Sequence, residues 1–144
     1  MTTLTKSYYE DIEIGHEQRT PAMTVTEMHV MLYRGLTGDD AIDPGAVPDI
    51  LPMCLSTGLG WRMPRPPLAV LAFMGFDWQI RRPLAVGDTI YSRTKTTMKR
   101  TMRDAGVIVD EHEIVDQHGE TVQHGRFTFL VAKRPREGVL DEGA

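Results

Sequence analysis

The second half of the chain changes from helical to alternating hydrophobicity, and this change limits the folds that it can adopt. From Ala69 onward, apolar residues recur at about every second position in four long segments. This period is typical of strands that bury one face. The pair His118-Gly119 suits a tight hairpin between the last two segments, which predicts antiparallel pairing. The segments are LAVLAFMGFDWQI, DTIYSRTKTTMKR, GVIVDEHEIVDQ and ETVQHGRFTFLVAK.

Two helical patterns precede these strands. The first, TEMHVMLYRGLTG, begins at Thr26, which can cap a helix, and either Gly35 or Gly38 can end it. Its large apolar residues fall at roughly helical spacing, which predicts one apolar face. These residues are Met28, Met31, Leu32 and Leu36.

The second helical pattern, VPDILPMCLSTGLGW, is apolar on nearly all sides. Leu51, Leu55 and Leu59 lie four residues apart, so the segment is predicted to be a buried helix with Pro48 or Pro52 in its first turn. Antiparallel strands that follow a buried helix predict an α+β fold in which the sheet wraps around the helix.

Length and charge favour one small domain. The 144 residues predict a single domain at residues 1-135 with a polar tail at 136-144. The formal net charge of -4 does not attract nucleic acid.

The single cysteine fits a reducing compartment. Cys54, predicted to be a core thiol, cannot form an internal disulfide. Because we find neither the order of a signal peptide nor an apolar run long enough for a bilayer, we expect a cytoplasmic protein without a membrane partner.

Four segments carry a resemblance to a known family. YYEDIEIG is similar to that family's opening motif, and RTPAMTVTEMHVMLYRGLTGD is similar to its first strand and helix. FDWQIRRPLAVGDTI is similar to its Gly-Asp-Thr strand junction, and GETVQHGRFTFLVAKR to its final strand. Taken in this order, the sequence resembles the MaoC-like hot-dog proteins, which include the R-specific enoyl-CoA hydratases, over nearly its whole length.

The resemblance implies an antiparallel sheet wrapped around a central helix, and a dimer with acyl-thioester tunnels at the subunit interface. Active hydratases carry a loop G-D-x-N-P-x-H whose Asp and His hold and activate a water molecule. A backbone N–H at the start of the central helix stabilises the thioester enolate. The chain has no nucleotide-binding glycine loop and no zinc spacing, so no cofactor is predicted.

The matching loop of this chain keeps one half of the catalytic pair. Gly38-Asp39 matches the Gly-Asp, whereas Ala41, Ile42 and Pro44 stand at the asparagine, proline and histidine positions. Asp39 is therefore a candidate catalytic carboxylate, and the alternative is a solvated loop acid.

The start of the central helix departs from the family as well. Asp49-Ile50 stands where many members have His-Gly. Asp49 is a candidate catalytic acid, as in hot-dog thioesterases, or an acid whose charge suits the helix dipole. Ile50 is a candidate substrate-binding residue, because the resemblance places its N–H at the oxyanion position.

Arginines beside the central helix and a strand end are candidates for binding the phosphates of CoA, and the alternative is that they are solvated surface charges. They are Arg62, Arg65, Arg81 and Arg82.

Other polar residues of interest favour structural roles. His112 and His124 lie on predicted strands, where a hydrogen-bonded structural histidine is the favoured interpretation. Asp40 and Asp43 lack the spacing and the glycine of a calcium loop, so no metal site is predicted.

Three functions stay open. An enoyl-thioester hydratase or 3-hydroxyacyl-thioester dehydratase is favoured by the intact Gly38-Asp39. A noncatalytic acyl-thioester-binding subunit, paired with an active hot-dog partner, is favoured by the missing loop histidine. A thioesterase would use Asp49. In each case the expected ligand is an acyl-CoA or acyl-carrier-protein thioester, and the expected assembly is a homodimer or a heterodimer.

Overall fold

Four long strands form most of the structure, as the alternating pattern predicts. The computed structural model describes residues 5–41 and 43–136, so residues 1–4, Ile42 and the tail from residue 137 lie outside it. One turn of 3-10 helix and two short strands, β1 (Glu17–Arg19) and β2 (Met23–Thr24), come first. The remaining elements are the helices α1 (Glu27–Thr37) and α2 (Leu51–Trp61) and the strands β3 (Val70–Ile80), β4 (Thr89–Thr101), β5 (Ala105–Val115) and β6 (Thr121–Ala132).

The strands form one antiparallel sheet in the order β1-β4-β5-β6-β3, with β2 also paired to β4. Strands β4, β5 and β6 are consecutive hairpin partners. The last hairpin turns at Gly119, whose φ of 79° is left-handed, as the sequence predicts. Strand β3 pairs with β6 rather than with its sequence neighbour β4, and therefore forms one edge of the sheet.

The central helix α2 packs against β4 and β5. We call this side of the sheet the inner face; it carries Thr94 and Thr96 of β4 and Asp110, His112 and Ile114 of β5. A core cluster joins this face to both helices and the loops around them. The buried members of the cluster are Val25, Val30, Val47, Leu51, Leu84, Ile90, Ile114 and Val122.

The apolar face predicted for α1 does not enter this core. Only Val30 of α1 is buried, and it lies outside the predicted stripe. The four residues of the stripe are exposed, and Leu36 reaches 87%. Helical spacing identified the stripe correctly, but a periodic pattern does not show which neighbour covers it.

The central helix is also less enclosed than predicted. Its buried residues are Leu51, Pro52, Ser56 and Leu59. Cys54 is exposed, which corrects the prediction of a core thiol. The cause is that the sheet of one chain covers only one side of α2.

Strand β3 leaves apolar side chains uncovered at the sheet edge. Val70, Leu71, Phe73, Met74 and Phe76 are each between 43% and 60% exposed. Phe73 and Phe76 stack on each other and continue into Phe127 of β6. An exposed apolar edge strand of this kind tends to pair with another strand.

Candidate functional site

The candidate loop begins where α1 ends. Gly38 takes the left-handed conformation, with φ 70°, and its N–H donates to the carbonyl of Arg34 at 2.8 Å. Asp39 follows and is exposed. Its Oδ1 accepts a hydrogen bond from the Ala41 N–H at 3.1 Å, while its own N–H donates to Thr37 Oγ1 at 3.3 Å. One carboxylate oxygen thus fixes the turn, and the other has no partner among the described residues.

The other acids of the loop have local roles. Asp40 lies 3.8 Å from Arg34, and Asp43 accepts a hydrogen bond from the Gly45 N–H at 2.9 Å. Both are exposed. Within residues 5–41 and 43–136, no three His, Cys, Asp or Glu side chains come together as metal ligands would.

The central helix begins at the later of the two starts that the prolines allow. Its first residue is Leu51, with Ile50 as the N-cap residue and Pro52 in the first turn. Asp49 therefore lies before the helix instead of in its first turn, and its side chain is exposed. No side chain caps the helix at Ile50. The backbone carbonyl of Asp49 is held by the Gln123 Nε2, at 2.8 Å.

Gln123 ties this helix start to the sheet. It is 2% exposed, and its Oε1 accepts a hydrogen bond from Trp78 Nε1 at 2.9 Å. One buried amide thus links β6, β3 and the residue before the cap of α2. The link holds the backbone carbonyl of the residue immediately before Ile50.

The predicted phosphate-binding arginines differ in their environments. Arg62 is the C-cap residue of α2, and Arg81 follows β3; both are exposed. Arg82 is paired with the buried carboxylate of Asp116 and lies 3.4 Å from Glu120. This ion pair anchors the β5–β6 turn, so a phosphate at Arg82 would compete with Asp116.

His112 takes part in a polar chain under α2. Its Nε2 is 2.6 Å from Ser56 Oγ, and its Nδ1 is 3.2 Å from Thr94 Oγ1. The ring also packs against Phe127, with centroids 4.9 Å apart. Burial lowers the pKa of His112 to about 4, so the imidazole is neutral at neutral pH. This agrees with the interpretation of a hydrogen-bonded structural histidine.

Two polar residues of the inner face were missed by sequence reasoning. Ser56 lies in a segment that appeared apolar all round, yet it is buried against His112. Asp110 lies two residues before His112 on β5 and accepts a hydrogen bond from Thr96 Oγ1 at 2.6 Å. The period of two shows that Asp110 and His112 share a face of the sheet. It does not show that this face meets the central helix.

Known structures with the same arrangement were found, although no family model and no curated protein matches the sequence. A monoamine oxidase regulatory protein from Archaeoglobus fulgius has 26% identity and a TM-score of 0.80, covering 90% of this chain and 97% of that one. A MaoC-like dehydratase from Rhodospirillum rubrum has 16% identity and a TM-score of 0.73, covering 90% and 99%. The R-hydratase PhaJ1 from Pseudomonas aeruginosa has 13% identity and a TM-score of 0.71, covering 95% of each chain.

The chain has the hot-dog fold of the MaoC-like dehydratases and R-hydratases. In this hot-dog domain, α2 is the central helix, and the loop from Gly38 to Asp49 leads into it. The fold expected from the sequence is confirmed. No helix in the described part of the chain is long and apolar enough to cross a membrane.

Proposed function

We propose that the protein is an enoyl-thioester hydratase or 3-hydroxyacyl-thioester dehydratase that works without a loop histidine. The observation that carries this proposal is the position of Asp39. Its carboxylate follows the left-handed Gly38 at the start of the loop before the central helix, and one of its oxygens has no partner among the described residues. The hot-dog fold shared with a MaoC-like dehydratase and an R-hydratase supports the same class of reaction.

In the hydration direction, Asp39 would accept a proton from water while the water oxygen bonds to the β-carbon of the enoyl group. The electron pair of the double bond moves onto the thioester as an enolate, and the proton held by Asp39 is then transferred to the α-carbon, which completes the addition and restores the carboxylate. The N–H of Ile50, next to the first turn of α2, is the candidate donor to the enolate oxygen. Without a histidine to share the water, the reaction is expected to be slow.

A noncatalytic acyl-thioester-binding subunit is the second candidate. The observation that favours it is the exposure of both Asp39 and Asp49. An exposed carboxylate is well solvated, and it is therefore a weaker base toward bound water than a partly desolvated one. In this case an active hot-dog partner would supply the chemistry. A thioesterase using Asp49 has less support, because Asp49 lies before the helix instead of in its first turn.

The thioester would be carried by CoA or by an acyl carrier protein. The exposed guanidinium groups of Arg62 and Arg81 are available to the phosphates of such a carrier. Arg82 is less suited to this role because Asp116 already occupies it.

The proposed assembly is a dimer formed through the β3 edge, either of two copies or with another hot-dog protein. The exposed apolar side chains of β3 and the exposed stripe of α1 supply the surface to be covered. The unpaired backbone groups of the edge strand supply hydrogen bonds for a second sheet.

The functions are separated by one set of assays on the purified protein with a panel of enoyl-CoAs. Loss of enoyl absorbance without free thiol is the expected result and indicates hydration. Release of free thiol would indicate a thioesterase and contradict the proposal. Binding with neither signal would favour the noncatalytic subunit. In that case a co-purified hot-dog protein that restores hydration would identify the partner.

A further inference from the structure

A cavity lies away from the Gly38–Asp49 loop, on the inner face of the sheet. Its volume is about 380 Å³. The chain segment before β2 forms one wall, and the loop after α2 forms another. The floor consists of β4 and β5 residues, among them Thr94, Thr96, Ile108 and Asp110. A cavity of this size accommodates a small molecule.

Asp110 presents a carboxylate to this cavity. Thr96 Oγ1 donates to its Oδ1 at 2.6 Å, and Oδ2 has no partner among the described residues. Burial raises the pKa of Asp110, against the opposing effects of the Thr96 hydrogen bond and the charge of Arg65. The open Oδ2 can accept a hydrogen bond from a ligand in the cavity, and such a bond is stronger at a partly desolvated carboxylate than at a fully solvated one.

Arg65 lies on the opposite wall, in the loop after α2. Partial burial of its guanidinium lowers the pKa of Arg65, and the negative charge of Asp110 opposes this effect. The two groups therefore interact electrostatically. In the part of the chain that the structure describes, no ion pair joins them and the Arg65 guanidinium makes no hydrogen bond. Two opposite charges held apart across a cavity leave room for a ligand that contacts both.

We propose that this cavity binds a small carboxylate that also carries a hydroxyl group, with the carboxylate on Arg65 and the hydroxyl on Asp110. The guanidinium presents parallel N–H donors that match the two oxygens of a carboxylate. A hydroxyl group can donate to an ionised Asp110 or accept from a protonated one, whereas an ammonium group requires the ionised form. Ile12, Leu68 and Ile108 give the cavity apolar walls for a short hydrocarbon chain.

The remaining charged groups of the cavity leave this assignment in place. Asp11 is paired with Arg134, so its charge is largely compensated. Glu13 and His16 are exposed on the N-terminal wall, in contact with solvent. Arg65 is therefore the cation that faces Asp110 across the cavity.

The test is a titration of the full chain with three probes. Binding is monitored through the NMR chemical shifts of the Thr94 and Thr96 backbone amides. The probes are 3-hydroxybutyrate, butyrate, which lacks the hydroxyl, and 1,3-butanediol, which lacks the carboxylate. Saturable shifts are expected, with 3-hydroxybutyrate binding about 10-fold or more tightly than either analogue. Absence of saturable shifts, or equal affinity for all three probes, would overturn the proposal.

Variants assign the two contacts. Arg65→Gln is expected to remove the preference for 3-hydroxybutyrate over the diol, and Asp110→Ala the preference over butyrate. Asp110→Asn keeps the shape of the side chain and serves if Asp110→Ala fails to fold; it should reduce the same preference. Matched controls are Arg103→Gln and Asp104→Ala in the exposed β4–β5 turn. Preferences that survive at both cavity positions would refute the assignment.

The site is independent of the proposed hydratase function. Asp39→Asn should leave 3-hydroxybutyrate binding unchanged, because Asp39 does not line this cavity. The same variant is expected to reduce hydration. A failure of one proposal can therefore be told from a failure of the other.

Discussion

Burial decides the protonation of His112, and this makes the stability of the fold depend on pH. The pKa of His112 is lowered from 6.5 to about 4 in the folded state. Above pH 6.5 the imidazole is neutral in both states and contributes no pH dependence. As pH falls from 6.5 toward 4, the unfolded chain binds a proton that the folded chain does not, so stability is lost.

We predict that the free energy of unfolding falls by up to about 3 kcal/mol across this interval because of His112 alone. His112→Gln should flatten the slope between pH 6.5 and 4, whatever its effect on stability at pH 7. The measurement is urea unfolding at several pH values. His118→Gln, at an exposed turn position, is the control and should keep the wild-type slope. An identical slope in wild type and His112→Gln would contradict the prediction.

Asp39 is the residue on which hydration should depend. Asp39→Asn removes the proposed base, and general acid–base groups typically contribute about 100- to 10,000-fold. We expect turnover of enoyl-CoA to fall by a factor in that range with the fold unchanged. The measurement is the rate of loss of enoyl absorbance, and Asp40→Asn, next to it and also exposed, is the matched control. Near-wild-type hydration by Asp39→Asn would exclude Asp39 as the base.

Sequence reasoning at this scale made Asp39 a candidate but not Asp110. Asp39 was found through a motif, because Gly38-Asp39 occupies consecutive positions in a loop. Asp110, Thr96 and Arg65 line one cavity only when β5, β4 and the loop after α2 are assembled. Asp110 and Thr96 carry no motif in the sequence, and Arg65 was a candidate only for binding phosphate. Alternation shows which residues share a face, but not what covers that face.

At the scale of secondary-structure elements, the buried side-chain amide of Gln123 joins β6 to β3 and to the residue before the N-cap of α2. Trp78 Nε1 of β3 donates to it, and it donates to the carbonyl of Asp49 before α2. Gln123→Leu would leave both partners without a hydrogen bond. Because each unsatisfied buried polar group costs about 1–3 kcal/mol, we predict a destabilisation of about 2–4 kcal/mol.

The measurement for Gln123→Leu is the urea midpoint of unfolding, with the slope of free energy against urea unchanged. Gln79→Leu, at an exposed position of β3, is the matched control and should stay within about 0.5 kcal/mol of wild type. A Gln123→Leu protein as stable as this control would show that the amide is not a structural link.

Most elements could be predicted from periodicity, and the exceptions have a common cause. The long strands and both helices lie where the patterns place them. The apolar stripe of α1 is exposed, and so is Cys54 of α2, which was predicted to be a core thiol. Apolar residues occur both on surfaces that are buried within one chain and on surfaces that are buried against another chain. Periodicity alone does not distinguish the two.

At the scale of the whole molecule, the uncovered β3 edge predicts association. Light scattering at micromolar concentration should give twice the 16.2 kDa chain mass, or the mass of a complex with another hot-dog protein. Met74→Lys places a charge among the exposed apolar side chains of β3 and should shift the mass toward a single chain. Met102→Lys, equally apolar and exposed but outside the β3 edge, should leave the assembly intact. A single-chain mass for the wild type, with no partner co-purified, would contradict the prediction.

The order of the strands also has a consequence for synthesis on the ribosome. Strand β3 pairs only with β6 in the described chain, and the end of β6 is made 52 residues after the end of β3. At about 5–20 residues per second, that interval lasts roughly 3–10 s. During it, β3 has been synthesised but its pairing strand β6 has not, so the apolar side chains of β3 are uncovered and chaperone demand should be concentrated in this window rather than after release.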